Sequence, residues 1–199
     1  MRKLIRKLSD MRGISGFEYR LTDQIADMFK KYCDDVKIDS LGSVIAVKRS
    51  NKPNAPKLMI EAHCDEIGLI VTSITDEGYL TFANVGGVDE RTLPSTEVTV
   101  HGKEDLWGVI GIKPNYLLEQ GKTAKLKELA VDTGLSAEKV KELAAVGDSI
   151  TLAQSVGRLG KKQFSGKSLD DRASVSAIMR VMKNIKDLDI DIDVYAVAA

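Results

Sequence analysis

The sequence has no surplus of charge of either sign. Its 29 Lys and Arg residues are balanced by 29 Asp and Glu residues over 199 positions. Without a basic surplus to neutralise phosphates, we expect no nucleic acid partner. Aromatic residues make up only 5% of the chain, which also argues against the stacking platforms that bind single strands. Together these absences remove nucleic-acid binding from the functions considered.

Long apolar runs and cysteines are also scarce. No stretch approaches the ~20 apolar residues that a membrane-spanning helix needs. The opening MRKLIRKLSDM lacks the continuous apolar core of a secretory signal, so we expect no membrane partner. Two cysteines, Cys33 and Cys64, cannot form a disulfide framework, and no CxxC pair is present. This cysteine usage predicts a reducing, cytoplasmic location.

The two ends of the sequence have the element pattern of an α/β fold. Two amphipathic helices are predicted at 1–11 and about 15–32, the second opened by the S-x-x-E capping box of Ser15 and Glu18. Further elements follow in order: a hairpin at 36–39 and 44–48, a central strand buried on both faces at 58–63, a loop and helix at 168–185, and a buried parallel strand at 190–199.

Between residues 69 and 160 the pattern changes to short strands separated by turn residues. Such strands are predicted at 69–75, 79–83, 97–101, 107–112 and 150–153, a spacing typical of a small antiparallel barrel or sandwich. A charged helix is predicted for 122–146. We therefore expect an inserted β-rich domain at 69–160, within an α/β domain formed by 1–68 and 161–199.

The first chemical feature is the pair His63 and Asp65, where the predicted strand 58–63 ends. Side chains two positions apart share one face of a strand, so the carboxylate can accept a hydrogen bond from one imidazole nitrogen and leave the other for a metal. The alternative is a histidine at a strand end beside a solvated aspartate. Taken alone, the pair favours that alternative.

A second acidic pair, Asp170 and Asp171, opens the helix predicted near the end of the sequence. Open α/β sheets place their sites at the carboxyl ends of strands, so a carboxylate here can reach back toward His63. One histidine, a bridging aspartate and supporting carboxylates suit a two-metal hydrolase site that takes zinc or cobalt. Asp170 is equally suited to cap a helix.

Five segments stand out in order along nearly the whole chain: EAHCDEIGLIV, VGGVDERTLP, LWGVIGIKP, VDTGLSAEKVKEL followed by GD, and SGKSLDDRASVSAIM. Together they resemble the tetrahedral or glutamyl aminopeptidase family of dinuclear metallopeptidases. Some members of this family carry the label endoglucanase or cellulase. The resemblance implies a zinc-aminopeptidase-like α/β domain with an inserted small β-barrel-like domain. It also implies homo-oligomers built from dimers, up to dodecamers in relatives, largely through the insert.

The resemblance also implies roles for individual residues. His63 is similar to the end ligand of one metal, Asp65 to the catalytic carboxylate that orients it, and Asp170 to the carboxylate that bridges two divalent ions, zinc or cobalt. In relatives, the residue matching Asp171 is joined to its predecessor by a cis peptide bond, and Arg172 is expected to anchor this turn. The implied function is removal of N-terminal residues from a peptide substrate.

The sequence also departs from the family. Ser174 stands where relatives usually have Gly, and Cys64 replaces an apolar residue. The Glu pair that supplies the general base and a ligand, a further Asp ligand and a final His ligand have no counterpart. His101 lies in the predicted insert and is not assigned. The general base is therefore not present in this chain. Because such a base contributes about 10²–10⁴-fold, we expect an incomplete fragment, nearly inactive alone, with VYAVAA at an unpaired, association-prone edge.

Two further interpretations stay open. One is a non-catalytic module whose β insert binds partners, and a metal titration separates it from a peptidase because the module needs no metal. The other takes the cellulase label literally. Glycoside hydrolysis needs two carboxylates about 5–10 Å apart and aromatic surfaces for sugar rings. The sequence marks no such pair and offers only Trp107 and a few Tyr.

Overall fold

The computed structural model describes residues 1–112 and 125–199. The chain forms two compact units, which we call the α/β unit (Met1–Glu66 and Ser155–Ala199) and the barrel unit (Ile67–Gln154). The insert predicted from the sequence runs from 69 to 160, so the barrel unit begins two residues earlier and ends six residues earlier than predicted. In the described part of the chain, no helix combines the length and the apolar character needed to cross a bilayer.

The α/β unit takes its elements from both ends of the chain. Its first part contains α1 (Arg2–Asp10), α2 (Tyr19–Phe29), β1 (Asp35–Ile38), β2 (Val44–Lys48) and β3 (Lys57–Ala62). The barrel unit follows with β4 (Gly68–Ile74), β5 (Leu80–Val85), β6 (Glu97–His101), β7 (Asp105–Ile112), β8 (Leu129–Asp132), α3 (Ala137–Leu143) and β9 (Ser149–Leu152). The α/β unit then resumes with β10 (Gly157–Leu159), β11 (Gln163–Ser165), α4 (Leu169–Ile185) and β12 (Asp193–Ala198).

A four-stranded sheet of order β1-β2-β12-β3 organises the α/β unit. Strand β12 runs antiparallel to β2 and parallel to β3, so Tyr195 lies between Val47 and Met59. The segment VYAVAA is thus hydrogen-bonded on both sides. The prediction that it forms an unpaired edge is wrong, because the chain returns through α4 and inserts this strand between two earlier ones.

Strand β3 corrects a second expectation. Its apolar run predicts a central strand buried on both faces, but within the described sheet β3 is outermost and pairs with β12 alone. Leu58 is 47% exposed and Met59 66% exposed. An apolar run shows that a strand can be buried. Whether it is buried depends on neighbouring elements, which the run itself does not specify.

One face of each helix packs into a single core of the α/β unit. Leu21, Ile25 and Phe29 recur every four residues along α2 and are fully buried, as helical periodicity predicts. They join apolar residues of α1, α4 and the sheet. Helix α2 begins at Tyr19 rather than near Ser15, so the predicted capping box is wrong.

The barrel unit closes on itself in the order β4-β5-β8-β7-β6-β9, with antiparallel pairs throughout. Its interior holds fully buried Leu80, Val98 and Ile150 among other aliphatic residues. Closure removes the exposed edges that an open sheet leaves. The predicted architecture, an α/β domain with an inserted small β-barrel, is confirmed.

The helix predicted for 122–146 is wrong over much of its length. Residues 122–124 lie outside the described residues. Beyond them come a 3₁₀ turn (Leu126–Glu128) and strand β8. In β8, Leu129 and Val131 point inward while Asp132 is exposed, so alternation by two overrides the helix-forming charged residues. Within residues 125–146, α3 is the only α-helix, and the Ser136 hydroxyl caps it by accepting from the Lys139 amide at 3.4 Å.

Candidate metal site

The site begins where β3 ends. The Nδ1 atom of His63 lies 2.8 Å from Oδ1 of Asp65, which is the contact expected of side chains two positions apart. Cys64, between them, is fully buried in the core on the opposite side. Its amide donates to the Ala199 carbonyl at 2.7 Å. The end of β12 therefore holds the backbone that presents the His63 and Asp65 side chains.

A residue 107 positions later completes this arrangement. Nε2 of His63 lies 3.2 Å from Oδ1 of Asp170. Two neighbouring ligands of one tetrahedral zinc ion, bound at about 2.0–2.2 Å, lie roughly 3.3 Å apart. The imidazole nitrogen and the carboxylate oxygen therefore have the spacing of a ligand pair. The Asp170 side chain is 96% exposed and that of His63 49% exposed, so an ion from solvent can reach both.

Asp170 and Asp171 stand at the start of α4 but are not themselves helical. Their backbone angles depart from helical values, and the peptide bond joining them is cis. The resemblance implied a cis bond at this position, and the structure contains one. Asp170 is not a helix N-cap here, since Ser168 occupies the position before the helix. The Asp170 carboxylate instead faces His63.

The imidazole of His63 and the carboxylate of Asp65 each shift the pKa of the other toward its charged form. Burial alone would lower the pKa of His63, but hydrogen bonds to the carboxylates of Asp65 and Asp170 outweigh it and raise that pKa. Burial would raise the pKa of Asp65, but hydrogen bonds from Ser15 and His63 outweigh it and lower the pKa. Asp65 is therefore an anion at neutral pH, able to accept from the imidazole Nδ1–H.

Arg172 joins the segments that carry these side chains. It is fully buried, and its guanidinium donates to the carbonyls of Cys64 at 2.7 Å, Leu8 at 3.0 Å and Gly13 at 3.2 Å, and also to that of Met11. Burial lowers its pKa. One side chain thus ties the strand end, the end of α1 and the following loop to the start of α4.

Sequence reasoning missed a second buried charge, Glu66. It is 5% exposed and accepts from the Gly13 amide at 3.1 Å and the Lys167 ammonium at 2.6 Å. It also accepts from the Ser168 hydroxyl, and the Arg172 guanidinium lies 3.5 Å away. The signal available in the sequence was an acidic residue directly before the apolar run IGLIV, where burial of a charge requires partners.

Ser15 is a further residue whose position was misassigned. Its hydroxyl donates to Oδ2 of Asp65 rather than capping α2. The Glu18 carboxylate accepts from the Gly16 amide at 2.7 Å. The S-x-x-E pattern therefore marks a loop in which Ser15 supports the carboxylate that orients His63.

The described residues supply two candidate ligands and no more. Among residues 1–112 and 125–199, no group of three or more His, Cys, Asp or Glu side chains is placed to hold a metal ion. His101 has both ring nitrogens engaged within the barrel unit, with Asp105 and Thr151 each at 2.9 Å. The described residues around His63 therefore offer two candidate metal donors, the imidazole of His63 and the carboxylate of Asp170.

Comparisons with protein-family profiles and with curated proteins both identify aminopeptidases as relatives of this chain. The sequence profile of the M42 glutamyl aminopeptidase family matches residues 42–199. The lysyl aminopeptidase of Pyrococcus furiosus is 33% identical over an alignment of 202 positions, which covers 98% of this chain and 58% of the relative. The putative aminopeptidase SgcX of Escherichia coli is 34% identical, with 94% of this chain and 52% of the relative covered. The chain spans about half the length of the curated relatives it matches.

Solved structures agree with the sequence comparison. The aminopeptidase APDkam598 of Desulfurococcus kamchatkensis has a TM-score of 0.91 at 36% identity, covering 98% of this chain and 54% of that one. An endoglucanase of Thermotoga maritima scores 0.83 at 32% identity, with 98% and 58% covered. The TET1 peptidase of Pyrococcus horikoshii, described as assembling into a tetrahedron or a large octahedral shell, scores 0.87 at 33% identity, with 99% and 60% covered. The chain belongs to the M42 glutamyl aminopeptidase family.

Proposed function

We propose that this chain supplies half of the active site of a metal-dependent aminopeptidase, which removes N-terminal residues from peptides. The observation that carries the proposal is the 3.2 Å separation of His63 Nε2 from the Asp170 carboxylate. His63 would bind one ion through Nε2, and Asp170 would bridge two. An imidazole nitrogen and a carboxylate oxygen are donors that zinc and cobalt accept.

The chain's own residues orient these donors. Asp65 accepts a hydrogen bond from Nδ1–H and so would fix the tautomer that leaves the Nε2 lone pair free for a metal. Ser15 holds the second oxygen of Asp65. Arg172 and Glu66 hold together the loops from which His63 and Asp170 project. Divalent ions at such a site polarise the substrate carbonyl and lower the pKa of bound water.

The remaining ligands and the general base belong to the same proposal. Two donors bind a metal weakly, because affinity depends on the number and geometry of ligands. We propose that the missing groups lie outside these 199 residues. The intact mass of the product that the source cell makes tests this: we expect a mass clearly above 21.7 kDa. A product of 21.7 kDa would instead favour the non-catalytic module.

We also propose that the barrel unit, which contains most of the insert predicted at 69–160, mediates homo-oligomerisation through dimers. Trp107 lies on the outside of β7 and is 58% exposed. Tyr79 is 44% exposed, and exposed aromatic side chains are typical of protein interfaces. The assembly of the Pyrococcus horikoshii TET1 peptidase supports the proposal. We further propose a cytoplasmic location, since both cysteines are free thiols.

Hydrolysis of aminoacyl p-nitroanilides by the protein as its cell makes it tests the activity. We expect a chelator to abolish hydrolysis and zinc or cobalt to restore it. His63→Ala and Asp170→Asn should each remove activity, and Asp65→Asn should lower it about 10–100-fold. Asp191→Asn is the matched control, because Asp191 is an exposed aspartate that forms a surface ion pair with Lys52. Hydrolysis that ignores the chelator and survives His63→Ala would contradict the proposal.

A further inference from the structure

A second concave site lies in the α/β unit, among α1, α2 and α4. It is a cavity of about 310 Å³, within the range of small-molecule sites. We call it the helical pocket. None of the residues that the preceding subsections place around His63 lines it, so it is distinct from the candidate metal site.

Five cations surround the helical pocket. They are Lys3, Lys7, Lys31, Arg180 and Lys183, contributed by α1, the turn after α2 and α4. None of the described residues lining the pocket is acidic. In residues 1–112 and 125–199, no ion pair joins any of these five to a carboxylate. Like charges around one cavity repel each other, and a bound anion would relieve that repulsion.

The wall between these cations is apolar. Leu4, Met28 and Tyr32 are half-buried and pack on the core, and Met179 is 1% exposed at the base. Lys183 stands over the Tyr32 ring, with its ammonium 5.9 Å from the centroid. Bare phosphate would leave this wall in contact with water, whereas an uncharged apolar molecule would leave the cations without a counter-ion.

We propose that the helical pocket binds an amphiphilic anion, a small molecule that joins one anionic head to an apolar body. The head lies among the Lys and Arg side chains at the rim, and the body covers Leu4, Met28 and Met179. Because the cations are exposed at the rim, the affinity falls as ionic strength rises. This proposal does not depend on the aminopeptidase activity.

Methionine methyl NMR with decanoate as the probe tests the proposal on the 199-residue chain. We expect decanoate to shift the Met28 and Met179 methyl signals and to leave Met59 unchanged. Met59 is 66% exposed on β3 and serves as an internal control for unspecific apolar contact. Decanol, with a similar chain and no charge, should bind about tenfold or more weakly, the difference of one ionic contact.

Two double variants, each losing two positive charges, distinguish binding in the helical pocket from a general effect of the protein's net charge. Arg180→Gln with Lys183→Gln should raise the dissociation constant of decanoate about tenfold. Lys37→Gln with Lys161→Gln, both exposed and away from the pocket, should leave it unchanged. Equal losses in the two variants, equal binding of decanol, or shifts that appear only with anionic phospholipid vesicles would each overturn the proposal.

Discussion

The two units solve the problem of a sheet's edges in opposite ways. In the barrel unit each of the six described strands has two neighbours and the core is apolar. The α/β unit leaves β1 and β3 outermost in its described sheet, and it buries Arg172 and Glu66 beside its core. The closed unit is held mainly by apolar burial, whereas the open unit, which carries the candidate site, also depends on a buried polar network.

The largest expected effect follows from removing that network's central cation. Arg172→Met leaves Glu66 buried without its guanidinium and several carbonyls without a donor. We expect the free energy of unfolding of the α/β unit to fall by about 3–5 kcal/mol. Urea unfolding followed by helical circular dichroism measures this change. The fluorescence of Trp107, the sole tryptophan, should report an intact barrel unit. Arg20→Met is the exposed control, and an equal loss there or in the Trp107 transition would break the comparison.

Cavity creation in the barrel unit gives the second effect. Ile150 is fully buried, so Ile150→Ala should cost about 2–5 kcal/mol, read from the Trp107 fluorescence transition in urea. Leu135→Ala, at a leucine that is 40% exposed, should change the midpoint little. If Ile150→Ala shifted only the unfolding transition seen by helical circular dichroism, the barrel unit would not have an apolar core of its own.

The third prediction concerns self-association, through either the outer surface of the barrel unit or the outermost strand β3 of the α/β unit. We expect Trp107→Lys on the barrel unit to lower the mass of the assembled species in light scattering, because it places a charge in the proposed interface. Met59→Lys on β3 should reduce unspecific aggregation and leave that mass unchanged, since charged edge strands resist edge pairing. Dissociation by Met59→Lys alone would assign assembly to the edge instead.

The smallest expected effect is on alkaline stability. Burial raises the pKa values of Cys33 and Cys64 from 9.0 to about 11. The folded state therefore favours the neutral thiols, and their contribution is complete below pH 9 and lost as pH rises to about 11. Both cysteines lie in the α/β unit, so the helical signal should lose stability in this window before Trp107 fluorescence does. Cys33→Ala should reduce the loss, and an unchanged pH profile in that variant would contradict this assignment.

Local patterns predicted some of this molecule well. The two-residue spacing places Asp65 on the Nδ1 side of His63, and alternation with turn residues predicts the barrel strands. These signals depend on neighbours in the sequence. The pairing of His63 with Asp170 was implied by the resemblance of EAHCDEIGLIV and SGKSLDDRASVSAIM to the family, and the two side chains do meet although 107 residues separate them.

Long-range contacts account for what the sequence did not predict. The S-x-x-E pattern is compatible with a capping box, but Ser15 instead contacts Asp65 across 50 positions. Strand β3 has the composition of a buried strand and lies at an edge. Glu66 was overlooked because its partners Lys167 and Arg172 are about a hundred residues away. In each case the outcome depends on tertiary contacts that no local pattern records.

The central claim is that His63 and Asp170 form half of a metal site, and nitrogen NMR of the two histidines tests it directly. On titrating zinc into the 199-residue chain, we predict that the Nε2 signal of His63 shifts while the signals of His101 stay fixed. Asp170→Asn should weaken that response, and Asp191→Asn should not. A His63 signal that ignores zinc, or that moves only together with that of His101, would contradict the account.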